Sequence, residues 1–168
     1  MSRYTSNQYF SVITNFTDWK DAEAALDEII NPIADAAVTL VKNDEQDEPR
    51  EEWAQTEAAE ELADTLESSE FDEVYDYLKE SIDFVRSRTE GDESITIQVS
   101  TSSEEGISNE VFEGLIYRLA KLAKGNYSIG FFSEESSRCG AYGYEWLITK
   151  DGDYHRMDSL AEIALAGI

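Results

Sequence analysis

Apolar residues recur at steps of three and four along much of the first half of the chain, the spacing that places them on one face of a helix. Phe71, Val74, Tyr75, Leu78, Ile82 and Val85 form one such face at about 100° per residue. Asp72, Glu73, Asp76, Glu80 and Asp83 fall on the opposite side. The spacing predicts a helix over 71–88, with the Ser69 hydroxyl available as N-cap. Pro49 suits a first helical turn, where its missing N–H is no loss. With the stripe Ala59, Leu62, Ala63 and Leu66 it predicts a helix over 49–68, whose acidic stripe is Glu57, Glu60, Glu61, Asp64 and Glu67. Trp53 lies on the acidic side of that wheel, and Tyr77 flanks the other acidic stripe. Upstream, Trp19, Ala22, Leu26, Ile29 and Ile33 mark a helix from Asp18 capped by Thr17. Pro32 should kink or restart it before a second stretch to Lys42, since proline removes a backbone bond and disfavours helix just before it. A short helix over 7–16 is also expected, and "KNDEQDE" reads as a link.

The period changes after residue 93. "SITIQVS" alternates Ile95, Ile97 and Val99, a strand with one buried face. Ser108 is placed to cap a helix through Lys124, with core face Val111, Phe112, Leu115, Leu119 and Leu122 and Gly125 as its C′ residue. "YSIGFFS" and "YGYEWLITK" read as strands joined by a polar loop with Arg138 and Cys139, and "DSLAEIALA" as a last helix from Asp158. These elements predict an α+β fold within a single domain, 1–168. An N-terminal helical, strongly acidic part, 1–93, precedes an α/β part, 94–168. The latter is a small, mainly antiparallel sheet of order β-α-β-β-α with helices on one face.

Composition agrees with a folded chain. Hydrophobic residues are 41% of the sequence and aromatics 11%, which suits a folded protein and argues against a disordered acidic tail. There is no apolar run long enough for a membrane span and no apolar stretch typical of a secretory signal at the N-terminus. Cys139 is the only cysteine, so no intrachain disulfide is expected, and the simplest expectation is a cytoplasmic protein.

Charge changes the picture most. The net charge is −24. Residues 44–93 hold 20 acids against 4 bases, a net of −16, and so carry two thirds of the excess. Such a field repels nucleic acid and anionic membranes and attracts basic surfaces. Like charges at i,i+4 cost a helix a few tenths of a kcal/mol per pair, and ordinary surfaces intersperse the two signs. The acidic stripes therefore read as serving a function.

Reaction chemistry is hard to assemble from this chain. His155, the only histidine, sits in "DGDYHRMD", which reads as a solvated turn, and Cys139 as an ordinary loop thiol. Calcium-loop spacing and a phosphate-cradling glycine motif are absent. Tyr142, Tyr144 and Trp146 read as core rather than as a base-stacking platform. No enzyme activity, metal or other cofactor is expected.

The expectation is an acidic DNA mimic that blocks the basic groove of a nucleic-acid-binding protein or ribonucleoprotein complex, of the anti-CRISPR or anti-restriction kind encoded by phages and mobile elements. Its expected contact residues are Asp44, Glu45, Asp47, Glu48, Trp53, Glu57, Glu60, Glu61, Asp64, Glu67, Asp72, Glu73, Asp76, Tyr77, Glu80 and Asp83, set on two helices side by side. It would not bind nucleic acid itself, and it leaves room for a homodimer. The alternatives are an acidic immunity or chaperone partner of a basic toxin or client, and a halophile's ordinary domain.

Overall fold

The computed structural model describes residues 4–87, 89–136 and 140–157. The expected last helix, Arg88, Arg138 and Cys139 lie outside the described residues. Among those described, the fold is α+β: six antiparallel strands in the order β2-β3-β1-β4-β5-β6, and four α-helices. The strands are β1 (Tyr4–Ile13), β2 (Ile82–Arg86), β3 (Ile95–Ser102), β4 (Tyr127–Ser136), β5 (Gly140–Thr149) and β6 (Tyr154–Arg156). The helices are α1 (Trp19–Glu45), α2 (Glu57–Leu66), α3 (Phe71–Lys79) and α4 (Asn109–Leu119).

One row of side chains explains how the layers join. Ile82, Val99, Phe10, Gly130 and Trp146 are successive partners across five strands on the face that meets the helices. Trp146 is 2% exposed and stacks on Phe10 with ring centroids 5.5 Å apart. Phe112 of α4 closes on its edge at 6.4 Å. Gly130 makes room for the indole: a Cβ there would lie 2.1 Å from the ring. The opposite face of the sheet carries Tyr9, Ile13, Ile129 and Phe131, all exposed, together with the exposed acids Asp83, Glu135 and Glu145.

Four expectations are corrected. Residues 4–13 form the central strand β1, not a helix: Phe10 and Val12 enter the core while Tyr9, Ser11 and Ile13 point the other way. The helix expected over 71–88 stops at Lys79, and Ile82–Arg86 pairs with β3 as an edge strand. The N-terminal part is therefore not purely helical, and it supplies two of the sheet's strands. Pro32 does not divide α1, whose buried face, Leu26, Ile30, Ile33, Ala37 and Leu40, runs unbroken past it. The helical bond lost at Pro32 falls on an exposed side, where water can serve the freed carbonyl. Pro49 does not start a helix either. A 3₁₀ turn, Glu52–Ala54, follows it, and α2 begins at Glu57, capped by Thr56, whose hydroxyl accepts from the Ala59 N–H at 3.2 Å.

Smaller details also shift. Asp18, not Thr17, caps α1, through the Lys20 N–H at 2.8 Å, and α1 runs on into the expected link. Glu70 rather than Ser69 stands at the α3 N-cap. The Ser108 cap of α4 is as expected, but that helix ends at Leu119 in a 3₁₀ turn. His155 lies half-buried in β6, opposite Leu147, not in a turn.

Candidate functional site: an acidic belt along the longest helix

At about 1.5 Å per residue, α1 is about 40 Å long. It supports both acidic helices, but at different points. α2 packs on α1 and α4, and α3 packs on α1 and β2. The two helices are therefore not side-by-side rods. They follow one another along α1, joined by four residues.

The side-chain partners set the direction. Arg50 bridges Asp44, at the end of α1, to Asp64 of α2, at 2.7 and 3.0 Å. Tyr75 of α3 donates to Asp27 at 2.5 Å, and Lys79 pairs with Glu23 at 3.3 Å. As α3 advances by four residues its partners on α1 step back by four, so α3 runs antiparallel to α1 toward its N-terminus. The acids consequently form a belt from one end of α1 toward the other.

Most candidate residues join this belt. Asp44 and Glu45 close α1, and Asp47 and Glu48 lie in the loop beyond it, all exposed. Glu57 and Asp64 on α2 are exposed, while Glu60 and Glu61 are half-buried. Glu67 stands at the α2 C-cap in left-handed backbone, φ 50°. Asp72, Glu73, Asp76 and Glu80 are exposed on α3 and its cap. Asp83 departs from the group, because β2 turns it onto the sheet face away from the helices, opposite Gln98.

Packing leaves most of the carboxylates exposed, although the Ser68 hydroxyl donates to Glu73 at 2.7 Å. Ala58, Ala59, Leu62 and Ala63 of α2, and Val74 and Leu78 of α3, are spent in the core. Of the candidate acids, only Asp44 and Asp64 form ion pairs among the described residues. The Arg50 guanidinium holds the Asp44 carboxyl below its ordinary value. Burial, then the Asp27 bond, push the Tyr75 hydroxyl up. Among the described residues no group of His, Cys, Asp or Glu is arranged to hold a metal ion, and no helix is long and apolar enough to cross a membrane.

The two aromatic candidates behave differently. Trp53 is 62% exposed on the 3₁₀ turn, and its indole N–H donates to the Glu51 carboxylate. Tyr77 is half-buried and donates to the Gly106 carbonyl at 2.7 Å. With Tyr9, Glu80 and Glu105 it lines a cavity of about 580 Å³ between α3 and the β3–α4 connection. Glu105 was not expected there. Its signal in the sequence was the acidic turn "SSEEG", which only the meeting of that turn with Tyr77 makes relevant.

Comparison of the chain with protein-family models, curated proteins and solved structures gave no match. The reading of its function therefore rests on the belt itself.

Proposed function

We propose that the protein is an acidic mimic of nucleic acid which occupies the basic groove of a DNA- or RNA-binding protein or complex, as anti-CRISPR and anti-restriction proteins of mobile elements do. The observation that carries the reading is the belt: exposed, mostly unpaired carboxylates strung along a 40 Å helix. Duplex DNA presents about one charge per 1.7 Å of axis, and its binders gain affinity by neutralising that charge and releasing counterions. A belt of this length corresponds to about 12 base pairs at the ~3.4 Å spacing of phosphates along each strand. A groove lined with lysine and arginine accepts either ligand.

Trp53 adds a contact that charge alone does not provide. An exposed tryptophan beside the acids is the residue type that dominates binding energy at protein interfaces. The belt needs no catalytic group, so the proposed role is inhibition by occupancy, in the compartment where the target works.

The test is capture of partners on the immobilised protein at moderate salt, followed by competition. The reading expects basic nucleic-acid-binding proteins that excess nonspecific duplex DNA displaces. Retention of a basic partner in the presence of that DNA would favour an immunity-type partner and count against mimicry.

A further inference from the structure

A second groove runs between α1, the 3₁₀ turn and α4, with a volume of about 580 Å³. It differs in sign from the rest of the helical layer. Arg118 of α4 and Lys42 of α1 both line it, and neither makes an ion pair among the described residues. The Nη1 atom of Arg118 is buried and has no hydrogen-bond acceptor. Lys20 of α1 and Lys121 after α4 are likewise without an ion pair among the described residues. Elsewhere on the helical layer Arg50 takes two carboxylates, Lys79 takes one, and Arg86 rests on the Trp19 ring at 5.1 Å. A guanidinium nitrogen withdrawn from water without an acceptor is costly; Nη1 itself is closed to solvent, so a ligand in the groove would engage the other guanidinium nitrogens of Arg118.

The geometry points to a binding site for a small monoanionic organic acid, its carboxylate on Arg118 and its apolar or planar body along Ile33, Ala36 and Trp53. The planar fork of a guanidinium matches a carboxylate in two parallel bonds. Lys42, exposed at the groove, adds a second positive charge. The volume lies within the range of sites that bury small ligands, and apolar walls with a few polar groups are their usual lining. Asp35 on the same groove, together with the net charge of −24, disfavours a second negative charge on the ligand. A carboxylate therefore suits the groove better than a phosphate monoester. This inference does not depend on mimicry: the belt attracts cations, whereas this groove attracts an anion.

Benzoate, its neutral match benzamide, and phenyl phosphate are the probes, followed through the Trp53 indole N–H and the Arg118 side-chain N–H in ¹⁵N-resolved NMR spectra. Benzoate should shift both signals saturably, with the other two probes at least tenfold weaker. Arg118→Met keeps the alkyl stem and should lose benzoate binding by at least tenfold, with the melting temperature unchanged or raised. Lys42→Gln, at an exposed position, should weaken benzoate by about threefold and keeps the test open if the Arg118 variant does not fold. Unmoved Trp53 and Arg118 signals would overturn the inference. So would benzamide binding as well as benzoate, phenyl phosphate binding more tightly than benzoate, or undiminished benzoate affinity in Lys42→Gln.

Discussion

Gly130 and Trp146 show how much one position decides in this fold. The indole occupies the space a Cβ would need, between Phe10 and Phe112, and it has no free direction in which to retreat. Gly130→Ala is expected to cost about 3 kcal/mol through overpacking. That would appear as a fall of roughly 10 °C in the melting temperature of a chain this size. Asp44 makes a different prediction. Its folded pKa is depressed by Arg50, so its stabilising contribution is present above the ordinary aspartate value of 3.8 and is lost as pH falls through the folded value. Asp44→Asn should therefore melt below the parent at pH 7, and the gap should close progressively below pH 3.8. Thermal melts of the two proteins at pH 7 and pH 3 check the sign. Both residues are conspicuous in the sequence, one as a glycine among aromatics and the other as an acid in a run. What each touches is set by residues far along the chain.

Among the elements, those with a single period were legible: β3, β4, β5 and the core of α4 match the expected stretches. The misread ones satisfy two periods at once. Ile82 and Val85 continue the helical face of Phe71, Val74 and Leu78, yet Ile82 and Phe84 also alternate with Asp83 and Val85 as a strand requires. Pairing with β3 decides between them, and no local pattern carries that information. In and just after β1, Tyr9, Ile13 and Phe16 mimic helical spacing, while the Phe10–Val12 alternation is too short to stand out. The belt was legible as charge but not as geometry, because where α2 and α3 dock on α1 is set by Ala59, Leu62, Val74 and Leu78 packing into a core built from distant residues, with the contacts of Arg50, Tyr75 and Lys79 following from it. Trp53 belongs to this scale too. It sits on a short turn, mostly exposed, so Trp53→Ala should change stability by less than about 1 kcal/mol. Under the mimic reading it should weaken partner binding by about 2 kcal/mol. A large loss of thermal stability with affinity unchanged would assign the ring to the scaffold instead.

For the whole molecule, charge is concentrated on the helical layer, although Asp83, Glu135 and Glu145 are exposed on the far face of the sheet. The helical layer bears the belt, and the exposed aromatic and aliphatic residues of β1 and β4 lie on the far side of the sheet. Adaptation to a salty solvent would coat every face evenly, so under the mimic reading the concentration of acids on the helical layer reflects use of the field. Screening weakens self-repulsion. The melting temperature should therefore rise with salt, from a state already folded at low salt, whereas a halophile's domain would be unfolded there. The most direct measurement is the affinity of the captured partner for the variant carrying Glu45→Lys, Asp72→Lys, Asp76→Lys and Glu80→Lys, all exposed positions with no ion pair among the described residues. The account predicts an unchanged fold and binding about 100-fold weaker, or roughly 2.7 kcal/mol. Binding within about threefold of the parent would contradict it.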